Sequence, residues 1–525
     1  MPGQSKRSLL PLVIMIAATA TSMLFWSYFS YVKYHYFQDA FFDIGQAVYS
    51  MYYTLHYMPA YNWLQYLVFA QHITLDQYIV LPFFAAAPSG LTLMFFQAAV
   101  VSLTGLLIFY IVRGIFRNSA LALALGIAYL INPGVMGMLI YDYHAEFFIV
   151  PFMLLTSFFY VKRNWAGFIP SLLLLLFSID TALPLVVTLG IGLLYYEMVY
   201  RKKRIDATRL KMALCIVVSA LVLSGIFFLI EESLLVSYGT GMNGTPFALR
   251  INPYFPAIID YLTGKNLLPA PYYDLSATKL ITGPLSLRAN FLASPSVYLY
   301  AIFAGILFLA PAVLVDPVLT LIIDAPWLYW LASGYIIFGY IEYQYFSYVI
   351  GGSIVACILG MILLKERRGI MLRAFRLDRA PPARLFSSSV KWIIIMSSAV
   401  GFSGIVLNSN YNFITLAFMF GGLGSGSAQC DAQLYSIIGM VPQNAQLLTQ
   451  TFITPHVATR EYLSTFGGYG PSPNATYALA DFGSCLDTYF LANQTFNQAN
   501  IRYLQEHNYT IYAQNGTAVL YRRGG

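Results

Sequence analysis

Residues 9–32, LLPLVIMIAATATSMLFWSYFSYV, run for two dozen positions without a charged side chain. At about 1.5 Å per helical residue, such a run can cross the roughly 30 Å hydrocarbon core of a bilayer. It is too long for the apolar core of a signal peptide and no small-residue cleavage site follows it, so it reads as a membrane anchor. Working outward, comparable runs recur at 88–112, 119–140, 145–161, 165–179, 182–200, 211–230, 295–311, 317–336, 345–364 and 391–408. About eleven crossings are expected on the rule of roughly 20 apolar residues per span.

Composition agrees. Of 525 residues, 58% are hydrophobic and 10% charged, where a soluble domain carries about 25% charge. A water-soluble fold cannot hide that much apolar surface. The expected class is an all-α polytopic membrane protein with a small external α/β C-terminal domain. The expected division is a membrane module over 1–408, with external loops at 33–87 and 231–293, and an external domain over 409–525.

The formal charge of +7 tracks topology rather than an anionic partner, and nothing points to nucleic acid. With the N-terminus cytoplasmic, 20 of the 29 Lys and Arg residues fall in short inner loops or at inner helix ends, as the positive-inside rule requires. The Asn-X-Ser/Thr sequons at Asn243, Asn474, Asn493, Asn508 and Asn515 then all fall outside, where such acceptors are glycosylated. The tyrosine-rich external loops and these sequons fit an archaeal cell surface. Cys215 and Cys357 lie in apolar runs, whereas Cys430 and Cys485 share the polar tail, which makes a Cys430–Cys485 disulfide the expectation for an oxidising exterior. Asn515-Gly516 between Tyr509–Gln514 and Thr517–Arg522 reads as a hairpin turn.

Candidate chemistry gathers on the outer side. FFDIGQAVYSMYYTLH, residues 41–56, has helical apolar spacing and suits a helix lying in the interface, with Asp43 near its start and Asp39 one turn earlier. His72 and Asp76 precede the second crossing. YDYHAEFF, residues 141–148, sets Asp142, His144 and Glu146 between two apolar runs; carboxylate and imidazole there could hold a divalent ion, or the turn is merely solvated. Asp180 and Asp324 lie at helix ends, where an ionisable group marks a functional site by default. No phosphate-cradling glycine loop, nucleophile elbow, cysteine-pair metal motif or dinucleotide fingerprint occurs.

The order of these features resembles a prokaryotic membrane family of unassigned function, domain-of-unknown-function family 2079, grouped with the GT-C glycosyltransferases. The matching segments are FFDIGQAVYS at 41–50, HITLDQYIVLPFFAAAPSGLTLMFFQ at 72–97, AYLINPGVMGMLIYDYHAEFF at 128–148, FLAPAVLVDPVLTLIIDAPWL at 308–328, and MVPQNAQ with TPHVATREYLSTF at 440–466. The resemblance implies a GT-C-like fold with a site at the outer leaflet, the central catalytic carboxylate falling on Asp43. It implies substrate-binding roles for Asp39, His72, Asp142, His144, Glu146 and Asp180, with His144 and Glu146 as candidate ligands of a divalent metal. Where a Lys-Glu-Asp-like run is expected, the chain has Ser178-Ile179-Asp180, so only Asp180 carries over.

An external site has no supply of nucleotide sugars, so an activated sugar must arrive on a membrane carrier. The expected reaction is inverting transfer from a polyprenyl-phosphate-linked sugar to a glycan or protein acceptor, with Asp43 as general base. External bases that could meet the phosphate include Lys33, Arg250, Lys265, Lys279 and Arg288, while His456 and Arg460 in the tail could bind acceptor or cap the site. The rival readings are a transporter, which would place paired charges near the bilayer midplane in repeated halves, and a non-catalytic envelope scaffold.

Overall fold

The computed structural model describes residues 4–37, 42–57, 74–75, 77–200, 205–238, 295–310, 312–332, 346–376, 381–406, 428–450, 452–466, 475–481 and 494–524. The polytopic helical architecture is as expected, and a small sheet closes the chain. In order, the helices of the bundle are α1 (Gln4–His35), α2 (Phe42–Tyr57), α3 (Gln77–Ala86), α4 (Gly90–Phe116), α5 (Ser119–Leu130), α6 (Pro133–Ile140), α7 (Ile149–Lys162), α8 (Trp165–Leu176), α9 (Leu183–Tyr200) and α10 (Ala207–Tyr238). After these come α11 (Pro295–Gly305), α12 (Pro317–Ile323), α13 (Ala325–Ala332), α14 (Phe346–Lys365), α15 (Ile370–Ala374) and α16 (Pro382–Val406).

Among the described residues, six helices are long and apolar enough to cross a membrane, or seven if one bent pair is a single span. This is fewer than the eleven apolar runs, and the sequence explains why. Asn132 precedes Pro133, and proline pushes the residue before it out of helical geometry. Asn132 is accordingly extended, its side chain accepts from the Gly134 N–H at 2.8 Å, and α5 and α6 meet at a 44° bend. Residues 165–179 yield only the 12-residue α8, about 18 Å long at 1.5 Å per residue. The 317–336 run breaks at Asp324 into α12 and α13.

Close packing of the spans depends on small residues. A Cβ at Gly126 of α5 would lie 2.9 Å from the Gly105 carbonyl of α4 and 2.6 Å from Met15 Sδ of α1, so three helices cross where two of them lack side chains. Helix α14 is the axis of the bundle, 94% buried over its apolar window, whereas the corresponding window of α1 is 17% buried and presents its remaining surface outward. That contrast separates a span surrounded by protein from one at the lipid-facing periphery. Asp324 is buried at the α12–α13 break, where its Oδ2 accepts from Ser353 Oγ of α14 at 2.9 Å.

The C-terminal sheet contains β1 (Leu447–Thr449), β2 (Leu463–Thr465), β3 (Tyr477–Asp481), β4 (Tyr509–Asn515) and β5 (Ala518–Arg523), in the spatial order β2-β1-β3-β5-β4. Strand β1 runs parallel to β2 and β3, while β5 is antiparallel to β3 and β4. The expected hairpin is present: Asn515 pairs with Ala518 across a turn that holds Gly516 at φ 60°, a left-handed geometry that glycine adopts without penalty. Period-two alternation assigns the faces. Leu447, Leu479 and Leu520 join the main core, with Leu434 and Ile437 of α17 (Ala428–Ile438), whereas Leu448, Ala478 and Ala480 pack with Leu504 of α19 (Gln494–Glu506). Between β1 and β2 lies α18 (Thr454–Val457), the element that reaches the membrane bundle.

Candidate functional site

Asp142, His144 and Glu146 lie at one end of the bundle, here called the upper end, where α1 finishes and α4 begins. Gly90, the first residue of α4, is the meeting point. A Cβ there would lie 2.9 Å from the Tyr34 ring of α1 and 3.2 Å from Ile44 of α2, so the absent side chain lets both helices close over the start of α4. Ser89 caps α4 by accepting from the Leu91 N–H at 3.2 Å. This packing fixes the first turn of α2, in which Asp43 is the second residue; its side chain lies outside the described residues, as do Asp39, His72 and Asp76.

Two turns further along α4, Gln97 organises the 141–148 segment. Its Nε2 donates to the Met138 carbonyl at 2.6 Å, and its Oε1 accepts from the His144 N–H at 3.0 Å. Seven residues of helix separate Gly90 from Gln97, about 10 Å along the axis, so the start of α2 and the His144 turn share one end of the bundle. Nothing in the motif readings pointed to Gln97. A polar residue inside the apolar run FFQAAVV was the available signal, because a buried amide needs partners.

Asp142 is fully buried and ion-paired with Lys33 of α1, whose ammonium also donates to the Ile140 carbonyl at 2.9 Å. Lys33, one of the bases expected to be available for a phosphate, is therefore committed to Asp142, and this pair ties the top of α1 to the turn. His144 is half-buried, with Nδ1 3.2 Å from the Asp142 carbonyl and its ring 4.8 Å from that of Tyr141. Glu146, 3% exposed, sits in the first turn of the 3-10 helix Ala145–Phe148 and forms no ion pair among the described residues.

The 177–182 turn joins this end through the backbone. Thr74 Oγ1 donates to the Ser178 carbonyl at 2.7 Å and the Leu75 N–H to that of Phe177 at 2.9 Å. Asp180 opens the short 3-10 helix Asp180–Ala182, its side chain outside the described residues. The Thr181 hydroxyl lies 2.5 Å from that of Tyr348 at the start of α14. The segments adjoining His72 and Asp180 are thus joined directly, and α14 connects them to the 141–148 turn.

The two candidate metal ligands, His144 and Glu146, both lie on the 141–148 segment. Among the described residues no three His, Cys, Asp or Glu side chains gather.

The C-terminal domain covers this end. A Cβ on Gly45 of α2 would lie 2.6 Å from Thr454 Cγ2, so glycine is what allows α18 to lie on α2. Tyr34 OH donates to the Pro455 carbonyl at 3.2 Å and Tyr49 OH to that of Glu461 at 2.8 Å. The His456 ring packs 4.1 Å from both Tyr34 and Phe37, with Nδ1 3.4 Å from Tyr435 OH. Arg460 is 4% exposed; its Nε donates to the Val457 carbonyl at 2.6 Å, and burial pushes its guanidinium pKa down to about 10, opposed by Tyr52 and Tyr57 of α2. Asn508 is exposed at φ 60° ahead of β4 and Asn515 ends that strand. The other three sequons and Cys485 lie outside the described residues, as does the side chain of Cys430, so the expected disulfide does too.

The opposite, lower end is where basic residues finish the helices. Arg209 reaches Glu197 at 3.5 Å and the Val161 carbonyl at 2.7 Å, Lys162 the Gly114 carbonyl at 2.7 Å, and Arg163 pairs with Asp206.

Comparison with curated proteins finds no match. Among solved structures, the crystal structure of ArnT from Cupriavidus metallidurans in the apo state is similar at 12% sequence identity and a TM-score of 0.42, covering 97% of each chain. A family model described as "Predicted membrane protein (DUF2079)" matches residues 42–520. That match takes in α2, the Asp142 turn and the C-terminal sheet, and the chain belongs to the DUF2079 family of membrane proteins.

Proposed function

We propose that the chain is a membrane glycosyltransferase whose upper end faces the cell exterior and moves a sugar from a polyprenyl-phosphate carrier to an acceptor hydroxyl. The observation that supports this reading is the assembly at one end of the first turn of α2, carrying Asp43, with the Gln97-held turn that carries His144 and Glu146, about 10 Å along α4.

In the proposed reaction, Asp43 takes the proton of the acceptor hydroxyl as its oxygen attacks the anomeric carbon. The carbon–oxygen bond to the lipid phosphate breaks, the electron pair leaves with the phosphate, and configuration inverts. His144 and Glu146 orient the acceptor. Asp142 acts through Lys33 by holding the turn.

Purified protein incubated with a panel of lipid-linked sugars, followed by mass spectrometry of candidate acceptors, tests the reading. Asp43→Asn keeps the shape and removes the base, so transfer should fall at least about a hundredfold while carrier binding and folding remain. Full turnover in that variant would remove Asp43 from the chemistry. For the orientation, a cysteine introduced in the C-terminal domain should react with an impermeant reagent on intact cells; labelling only after permeabilisation would place the site on the wrong side for this donor.

A further inference from the structure

We propose that the seam between α2 and the C-terminal domain is a phosphate-binding site in which the Arg460 guanidinium holds the anion. Residues 454–461 lie along α2: Thr454 rests on Gly45, the Glu461 carbonyl accepts from Tyr49 OH, and Arg460 is within electrostatic reach of Tyr52 and Tyr57. Arg460 as a residue is 4% exposed. Two of its nitrogens are engaged, Nε with the Val457 carbonyl and Nη1 with the Pro442 carbonyl at 3.5 Å. Both acceptors are neutral. Among the described residues no carboxylate pairs with Arg460 and Nη2 donates to nothing, whereas Lys33, Arg163 and Arg209 each have an acidic partner.

A buried cation without a counter-charge is strongly unfavourable. The planar fork of an arginine matches two oxygens of a phosphate. In a membrane protein, an anion of that shape is supplied by the phosphate ester of a lipid. Assigning it to the sugar carrier rests on the function proposed above; a phospholipid headgroup presents the same chemistry. The plain alternative is that Arg460 only pins the backbone between Pro442 and Val457.

The test uses the full chain in detergent micelles, titrated with a polyprenyl monophosphate, phosphatidylglycerol or inorganic phosphate, with binding read by native mass spectrometry and by melting temperature. Wild type should give a saturable upward shift with the polyprenyl phosphate. Arg460→Gln should weaken that binding about tenfold to a hundredfold, as expected for a lost charge-assisted bond, and Arg460→Lys should fall between. Equal affinity in wild type and a folded Arg460→Gln overturns the proposal. So does the absence of any saturable shift in wild type, a result that needs no variant to fold. Phosphatidylglycerol or inorganic phosphate binding as tightly as the polyprenyl phosphate, with the same loss in Arg460→Gln, supports the phosphate site and removes the carrier as its source. Loss of phosphate binding in Arg460→Gln, with no sugar transfer by wild type, keeps this site and sinks the enzymatic reading alone.

Discussion

Lys33 at the top of α1 and Arg460 in the seam over α2 are both nearly buried cations at the same end of the molecule, 8% and 4% exposed. Lys33 has Asp142; Arg460 has carbonyls and tyrosines. Inside the bundle the chain supplies its own counter-charge, so the pair is architecture: it holds the 141–148 turn against α1. In the seam no carboxylate among the described residues pairs with Arg460. The difference teaches where to look for function. A closed ion pair has no remaining capacity for a substrate, whereas a desolvated guanidinium with a free edge does.

The largest effect expected from breaking this contrast is at the closed pair. Asp142→Ala leaves an ammonium buried without its partner, which destabilises by about 3–5 kcal/mol, read as a fall in melting temperature of the detergent-solubilised protein. The double change Lys33→Met with Asp142→Leu, apolar and of similar volume, should recover most of that loss. A single variant within about 0.5 kcal/mol of wild type, the usual range for an inconsequential surface change, would show that the pair is not what holds the turn.

Much of the fold was legible in the chain because apolar runs and turn chemistry are local signals: the anchor at 9–32 and the hairpin at Asn515-Gly516 stand where the residues say. The number of full-length spans was not, because a run such as 165–179 has the apolar content of a span while its helix ends at Leu176. The site was half legible. His144 and Glu146 were visible as ionisable groups between apolar runs, but the commitment of Lys33 to Asp142 joins positions 109 apart in the chain, and no periodicity encodes that. Arg460 was visible only as a tail residue, since its burial depends on α2 lying across it.

A smaller effect is expected where the two regions touch. Gly45→Ala puts a methyl 2.6 Å from Thr454 Cγ2 and 3.3 Å from the Pro455 nitrogen, and overpacking of this kind costs about 1–3 kcal/mol. The strain falls on the seam and not on the Lys33–Asp142 pair, so limited proteolysis should release the C-terminal domain sooner while the bundle keeps its protection. Equal acceleration of cleavage in both parts would mean that the seam and the pair open together, and the contrast between them would fail.

The smallest effect is on pH dependence, and it bears on the seam alone. Burial pushes the Arg460 guanidinium down to about 10, against about 12.5 in an unfolded chain. Between those values the unfolded state holds the proton that the folded state has shed, so the contribution of this group to stability rises with pH; below about pH 10 the burial penalty is present in full. The stability of wild type relative to Arg460→Met should therefore increase by about 1.4 kcal/mol from pH 9 to pH 11, one unit past the folded value. Referring each measurement to the variant cancels the lysines and tyrosines that titrate in the same range. A bound phosphate favours the charged guanidinium and raises its pKa again, so saturating polyprenyl phosphate should flatten that rise. A rise that persists unchanged with the lipid bound would mean that the anion sits away from Arg460, and a flat profile without lipid would mean that the guanidinium is solvated and that the two cations differ less than their burial implies.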